Sequence, residues 1–146
     1  MEIAQTCKQV VFKMALALLR RGKEILIVRN SGGDLWSLPG PILREDDNTE
    51  EVLANYLKTN LPGLRVARGQ KLEPFFSFST TDEIGTIYLV EIFQMVIARS
   101  KIQPNKEEVP QISFQGLDFI CDYLFENGQI HPAVNPLLSH LSRQKT

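Results

Sequence analysis

Residues 48–63 read NTEEVLANYLKTNLPG and present oxygen-bearing side chains at helical spacing. Tyr56, Thr59 and Asn60 are three and four residues apart, so a helix places them on one face. Mg²⁺ and Mn²⁺ prefer oxygen ligands that include carboxylates, whereas these residues offer a phenol, a hydroxyl and an amide. The spacing therefore predicts a polar face on which Tyr56 and Asn60 contact a ligand, without a tight metal site.

The acids near this face lie at the start of the helix. Asn48 is predicted to cap it, and Glu51, at the third helical position, completes a capping-box-like pair. Asp47 precedes the cap and has two interpretations. It is either a weak metal ligand and catalytic acid, or a charge that suits the positive end of the helix dipole.

Two arginines and a tryptophan are candidates for binding an anionic aromatic ligand. A guanidinium group can bind a phosphate through two hydrogen bonds, and Arg29 and Arg44 are both predicted ligand contacts. Trp36 offers a flat ring for stacking in the segment WSLPG. Arg44 is flanked by acids, so a solvated loop charge is the alternative interpretation.

A second acid pair, Glu107 and Glu108, lies in the polar segment KEEVP. It is a weak candidate for a catalytic base and equally a solvated surface pair. His131 and His140 have no neighbour at metal-ligand spacing and are predicted to be structural. Several aromatic residues can stack on a base or belong to the core: Phe75, Phe76, Phe78 and Tyr88.

The elements that position these residues follow from hydrophobic runs and turn residues. Residues 10–19 and 24–30 predict a β-hairpin that turns at Gly22, and residues 31–40 predict a loop. A helix is predicted after Asn48, ending at Pro62 and Gly63. Further strands are predicted at residues 64–68, 71–80, 86–98 and 112–114, followed by two helical segments. This order predicts an α/β or α+β class with a mixed sheet.

Composition predicts one globular domain over residues 1–146, with a core of about 10–142. The formal net charge of −1 provides no field for nucleic acid or an anionic membrane, and no apolar run is long enough to span a bilayer. Cys7 and Cys121 form no paired motif, which favours reduced thiols in a cytoplasmic protein.

The order hairpin, WSLPG, capped helix and terminal glycine resembles the Nudix hydrolase superfamily, whose box is G-x5-E-x7-R-E-U-x-E-E-x-G-U. On that pattern Asp47 takes the first glutamate, Tyr56 takes the glutamate of the Arg-Glu pair, and Thr59 and Asn60 take the Glu-Glu pair. Leu57 fits the aliphatic position, and Pro41 and Pro62 replace glycines. The resemblance covers roughly residues 10–142 and implies a Nudix-like α/β/α sandwich with a degenerate box.

In the family, the box acids bind Mg²⁺ or Mn²⁺ and activate water against a diphosphate. The resemblance thus implies a protein that binds a nucleotide-like ligand or a partner, without efficient hydrolysis and without a required cofactor. The alternatives are an active diphosphohydrolase that takes Mg²⁺ or Mn²⁺ through Asp47, Glu107 and Glu108, and a dimeric scaffold that uses its long apolar strands as a homodimer interface.

Overall fold

The computed structural model describes residues 10–144, which form a seven-stranded mixed sheet with helices on both faces. The strands are β1 (Val11–Arg21), β2 (Glu24–Arg29), β3 (Trp36–Ser37), β4 (Arg65–Val66), β5 (Glu73–Thr81), β6 (Ile87–Ala98) and β7 (Gln111–Gly116). The helices are α1 (Thr49–Asn60), α2 (Leu117–Phe119) with a π-helical continuation (Ile120–Phe125), and α3 (Asn135–Gln144), which follows a 3₁₀ turn (Pro132–Val134). No helix in this part of the chain is long and apolar enough to cross a membrane.

Most predicted elements are confirmed, including the hairpin of β1 and β2 and the helix α1. The side-chain oxygen of Asn48 accepts a hydrogen bond from the Glu51 N–H group at 3.0 Å, which confirms the predicted cap. Two strand predictions were wrong in extent, because β4 has two residues rather than five and β7 has six rather than three. Cys7 lies outside the described residues, and Cys121 forms no disulfide within them.

Strand β1 lies at the centre of the sheet. It runs parallel to β6 over ten paired residues, from Val11↔Ile87 to Arg20↔Val96, and antiparallel to β2 at its end. Residues 14–19 of β1 are all buried, which is typical of a strand covered on both faces. On the far side, β2 pairs with β3 and β7, while β6 pairs with β4 and β5.

Each face of the sheet carries its own hydrophobic core. On one face, Ala15 and Ala17 leave room for α1, which buries Leu53 and Leu57 there. On the other face, the C-terminal helices pack against the even-numbered residues of β1, such as Leu16 and Leu18. The predicted α/β/α sandwich is therefore confirmed.

The segment that follows β3 runs alongside β1 at close range. The Ala17 N–H group donates to the Pro39 carbonyl at 2.8 Å, and the Leu43 N–H group donates to the Lys13 carbonyl at 2.7 Å. Between these bonds, a Cβ atom on Gly40 would overlap the carbonyl oxygen of Ala15. Glycine is therefore required where the segment leading into α1 crosses the central strand.

We expect Gly40→Ala to destabilise the protein by about 1–3 kcal/mol, because the added methyl group must push two backbones apart. Gly116→Ala is the matched control, since nothing lies within 4 Å of a Cβ atom there. Urea unfolding checks the prediction: the midpoint should fall for Gly40→Ala and barely move for Gly116→Ala. Equal midpoints for the two variants would contradict it.

Candidate functional site

The flank of α1 that carries the predicted ligand contacts faces the loop of residues 99–110. Tyr56 is half-buried there, and its hydroxyl donates to the Asn30 side-chain oxygen across a long 3.5 Å. Burial, together with the negative charge of Glu108, raises the pKa of Tyr56 to about 12. The phenol therefore stays neutral at physiological pH.

Asn60 joins α1 to this loop. Only 7% of the residue is exposed, and its side-chain N–H donates to the Tyr56 carbonyl at 3.2 Å. Its side-chain oxygen accepts from the Asn105 amide at 3.3 Å, and its backbone carbonyl accepts from the Asn105 N–H at 2.9 Å. The Asn60 amide is thus engaged within the protein, whereas Thr59 is exposed to solvent.

The loop acids are held by their backbone, and their side chains are exposed. The Glu108 carbonyl accepts from the Ser31 N–H at 2.8 Å, and the Glu107 N–H donates to the Asn105 side chain at 3.3 Å. The loop therefore connects α1 to the turn after β2. Because both carboxylates lie in solvent, this geometry matches the surface-pair interpretation.

Asp47 and Arg44 form a local turn before α1. The Asp47 carboxylate accepts from the Arg44 backbone N–H at 2.7 Å, and the Arg44 side chain is exposed. Within residues 10–144, no three or more His, Cys, Asp or Glu side chains come together as a group that could hold a metal ion.

Arg29 and Trp36 lie side by side, as the pairing of β2 with β3 places them. The guanidinium carbon lies 4.6 Å from the centre of the Trp36 ring, and one guanidinium N–H donates to the Gln111 side chain at 2.8 Å. A cation over an indole ring is a favourable contact. The side chain is therefore held between β3 and β7. No hydrogen bond or ring contact in the described part of the chain links it to Arg44.

A cavity of about 380 Å³ lies beside residues 132–135, which follow the segment that is hydrogen-bonded to Trp36. The Trp36 backbone N–H donates to the Gln129 carbonyl at 2.8 Å, and the Trp36 carbonyl accepts from the His131 backbone N–H at 2.9 Å. The chain then reaches the cavity wall at Pro132 and Asn135, opposite the turn of residues 80–84. The side-chain oxygen of Asn135 is buried and has no hydrogen-bond partner among residues 10–144.

His131, Tyr88 and Asp82 form a cluster beside this cavity. The Tyr88 hydroxyl donates to Asp82 at 3.1 Å, and its ring meets the His131 ring edge-on with centres 5.3 Å apart. Partial burial acts to raise the pKa of Asp82, but hydrogen bonds from Thr86, Tyr88 and Ile84 outweigh it and lower the pKa. Sequence reasoning missed this cluster because His131 is far along the chain from Asp82 and Tyr88. The local signal was His131 before a proline at the start of a 3₁₀ turn.

A larger groove of about 710 Å³ lies on the opposite flank of α1. Its floor contains Leu57, Leu61 and Met95, and Glu50 and Glu51 lie on its rim. None of the predicted ligand contacts lines it. Lys58 and Lys71 also line it, so its acidic and basic side chains balance in number.

We expect Asn60→Ala to lower the free energy of unfolding by about 1–3 kcal/mol, because the partly buried Asn105 amide and the Tyr56 carbonyl lose the hydrogen bonds that the Asn60 side chain makes to them. Thr59→Ala is the neighbouring exposed control and should change it by no more than about 0.5 kcal/mol. Chemical denaturation checks the stability, and amide hydrogen exchange should show faster exchange across residues 101–109 in Asn60→Ala. Unchanged exchange in that loop would mean that Asn60 does not hold it.

The neutral state of His131 predicts a loss of stability in acid. Burial lowers its pKa, opposed in part by the negative charge of Asp82, and its ring Nδ1 accepts from the Ala133 N–H at 3.1 Å. Since the unfolded chain binds this proton more readily, the free energy of unfolding should fall as pH drops below about 6.5. His131→Asn keeps a capping oxygen without the titration, so its unfolding midpoint should fall less between neutral pH and pH 5; an equal fall in both proteins would contradict the prediction.

Comparison with known proteins gives one result for the sequence and another for the structure. No protein-family model matches the chain, and no curated protein is significantly similar in sequence. In contrast, its structure superposes on those of Nudix and MutT proteins.

The MutT protein from Methanosarcina mazei Go1 shares 18% identity, with a TM-score of 0.64 over 96% of this chain and 99% of that one. A MutT NUDIX hydrolase from Burkholderia pseudomallei shares 12%, with a TM-score of 0.60 over 75% and 86%. A bifunctional NMN adenylyltransferase/ADP ribose pyrophosphatase from Francisella tularensis, complexed with AMP and a manganese ion, shares 17%, with a TM-score of 0.64 over 94% of this chain and 42% of its own. The chain therefore has the Nudix fold.

Proposed function

We propose that this protein binds a nucleotide or a nucleoside-diphosphate-type ligand without hydrolysing it efficiently. The proposal rests on one observation, the segment of chain that connects the Arg29–Trp36 pair to the cavity at Asn135. The Arg29–Trp36 pair and the cavity at Asn135 are joined by residues 129–135, which hydrogen-bond to Trp36 at one end and line the cavity at the other. We propose that one ligand, with a charged end and a heterocyclic end, contacts both features.

The charged end is assigned to Arg29. Its guanidinium is oriented by Gln111 and by the Trp36 ring before any ligand arrives, so little side-chain entropy is lost on binding. A planar guanidinium suits a phosphate. Arg44 is exposed before α1, and its side chain makes no hydrogen bond or ion pair with the other residues that the structure describes, so it is the second predicted phosphate contact.

The heterocyclic end is assigned to the cavity. A buried carbonyl oxygen without a partner costs about 1–3 kcal/mol, and Asn135 carries one at the cavity wall. A small rotation of its amide toward the cavity would let an N–H group of a base satisfy it. Structures with the same fold are described as a complex with AMP and as a UDP-X diphosphatase, which supports a nucleotide-type ligand.

The donors on α1 do not fit Mg²⁺ or Mn²⁺. Tyr56 stays neutral, the Asn60 amide is used by Asn105 and the Tyr56 carbonyl, and Thr59 offers only a hydroxyl. Such cations are usually held by one or two carboxylates. Loss of a general base alone typically lowers a rate by about 10² to 10⁴. We therefore propose ligand binding, and not metal-dependent hydrolysis, as the function.

The active hydrolase remains the alternative. It requires Asp47, Glu107 and Glu108 to act together with Mg²⁺ or Mn²⁺. In the structure, Asp47 accepts a hydrogen bond from the Arg44 backbone, and the two glutamates lie in the loop that Asn60 holds. The metal site would therefore need a rearrangement of that loop.

A ligand screen tests the proposal. Thermal unfolding is measured with AMP, ADP, UDP and ADP-ribose, each with EDTA and each with Mn²⁺. A ligand at 100 times its dissociation constant should add about 2.7 kcal/mol to the free energy of unfolding. We expect the shift to be the same with EDTA as with Mn²⁺, and product formation to stay far below ordinary enzyme rates.

Variants locate the site. Arg29→Ala and Asn135→Ala should each weaken binding at least about tenfold, a loss of about 1.4 kcal/mol. Asn55→Ala, an exposed asparagine on α1, is the control and should bind normally. Manganese-dependent turnover that disappears in Asp47→Ala would establish the hydrolase instead. The absence of a shift with all four probes would overturn the proposed ligand class.

A further inference from the structure

The 3₁₀ turn before α3 forms part of the cavity wall, and His131 holds this turn at its start. The ring Nδ1 accepts a hydrogen bond from the Ala133 N–H at 3.1 Å, and the His131 carbonyl accepts from the Val134 N–H at 2.9 Å. At the end of the turn, the Asn135 N–H donates to the Pro132 carbonyl. Pro132 and Asn135 both line the cavity, so the turn that His131 caps sets the position of this wall.

The bond between the His131 ring and Ala133 exists only while Nδ1 carries no proton. A neutral imidazole has one acceptor nitrogen, whereas an imidazolium has two N–H donors and no acceptor. Ala133 is fully buried, so after protonation its N–H group would face a second donor and water would not replace the lost bond. An unsatisfied buried donor is unfavourable. The charged ring is therefore incompatible with the turn as it stands.

An acid near the ring offers the charged form a different partner. The Tyr88 hydroxyl donates to the Asp82 carboxylate at 3.1 Å, and the Tyr88 ring meets the His131 ring edge-on with centres 5.3 Å apart. Asp82 and His131 thus both contact Tyr88, and Asp82 lies on the opposite wall of the cavity. A positively charged ring would turn from Ala133 toward this carboxylate, because opposite charges attract.

The groups around the ring set when it titrates. Among the described residues, Tyr88 on β6 and Asp82 in the turn between β5 and β6 are the titratable groups that act on it, and Glu83 of that turn lines the cavity from an exposed position. The neighbouring parts of β3, β5 and α3 bring neutral residues: Trp36, Thr80, Thr81 and Asn135. Burial lowers the pKa of His131, and the charge of Asp82 opposes this in part. The ring is therefore neutral at physiological pH.

We propose that His131 is a positioning residue for the ligand, and that its protonation displaces Asn135 and Pro132 from the cavity wall and weakens binding. The inference rests on the proposed function, because it concerns the cavity assigned to the heterocyclic end of the ligand. The neutral ring keeps the unpartnered Asn135 oxygen at the wall. Ligand is thus bound near neutral pH and released in acid.

Hydrogen exchange in the free protein tests the positioning role without any ligand. Protection of the Ala133, Val134 and Asn135 amides, corrected for intrinsic exchange and followed by NMR, should fall at least about tenfold as the His131 ring becomes protonated. The Ala17 amide, which bonds to the Pro39 carbonyl in the centre of the sheet, is the internal control and should lose less protection. A ring that titrates while these three amides stay as protected as Ala17 would overturn the inference.

Ligand binding at different pH values tests the consequence. ADP-ribose is the probe, because its diphosphate is esterified at both ends, whereas the terminal phosphate of AMP or ADP titrates near a pKa of about 6. With EDTA present, its dissociation constant from calorimetry should rise toward about tenfold per pH unit below the His131 midpoint, because the competent fraction falls at that rate. Tyr88→Phe removes the hydroxyl that bonds to Asp82, so the midpoint should move to higher pH.

Two variants separate positioning by His131 from a general effect of acid. His131→Asn keeps a capping oxygen that does not titrate, so the dissociation constant should change no more than about twofold between neutral pH and about pH 5. His140→Gln removes the second of the two histidines and should keep the wild-type pH dependence. An equal pH dependence in wild type and His131→Asn would overturn the inference. If ADP-ribose does not bind even at neutral pH, the proposed ligand fails, and hydrogen exchange still decides whether His131 positions Asn135.

Discussion

The contact between α1 and the loop of residues 99–110 is made by neutral side chains, and the argument against a metal site on α1 depends on it. The Asn60 side chain donates to the Tyr56 carbonyl and accepts from the Asn105 side chain. The Asn105 backbone N–H also donates to the Asn60 carbonyl. Carboxylates clustered at the same place would repel one another and would need a cation between them. An amide and a phenol have no such requirement, so the helix and the loop stay together without an ion. The same bonds leave the Asn60 amide with little capacity to coordinate one.

Much of the architecture was predictable because its signals are local. The uninterrupted burial of β1 follows from an apolar run, the start of α1 from Asn48, and its end from Pro62 and Gly63. The short strand β4 was overpredicted because residues 64–68 alternate as a strand does, although only Arg65 and Val66 find partners on β6. Strand β7 was underpredicted because Gln111 at its start and Gln115 and Gly116 at its end are typical of loops. Its length is set by pairing with β2 over six residues, which no local pattern reveals.

The site was predictable only in part, because contacts between residues far apart in the chain leave no local pattern. Helical spacing placed Tyr56 and Asn60 on one flank, where the structure also has them. The partners of these residues, Asn30 and Asn105, are 26 and 45 positions away, so their engagement could not be read from the chain. The stacking of Arg29 on Trp36 depends on the register of β2 with β3. The unpaired oxygen of Asn135 depends on packing, and asparagine before a helical run otherwise indicates a cap.

The turn between β5 and β6 forms one side of the cavity proposed for the heterocyclic end of the ligand, because residues 80–84 line it. Asp82 orders this turn, accepting from the Ile84 and Thr86 N–H groups and from the Tyr88 hydroxyl. These bonds are present without a ligand, so little conformational entropy of the turn would be lost on binding.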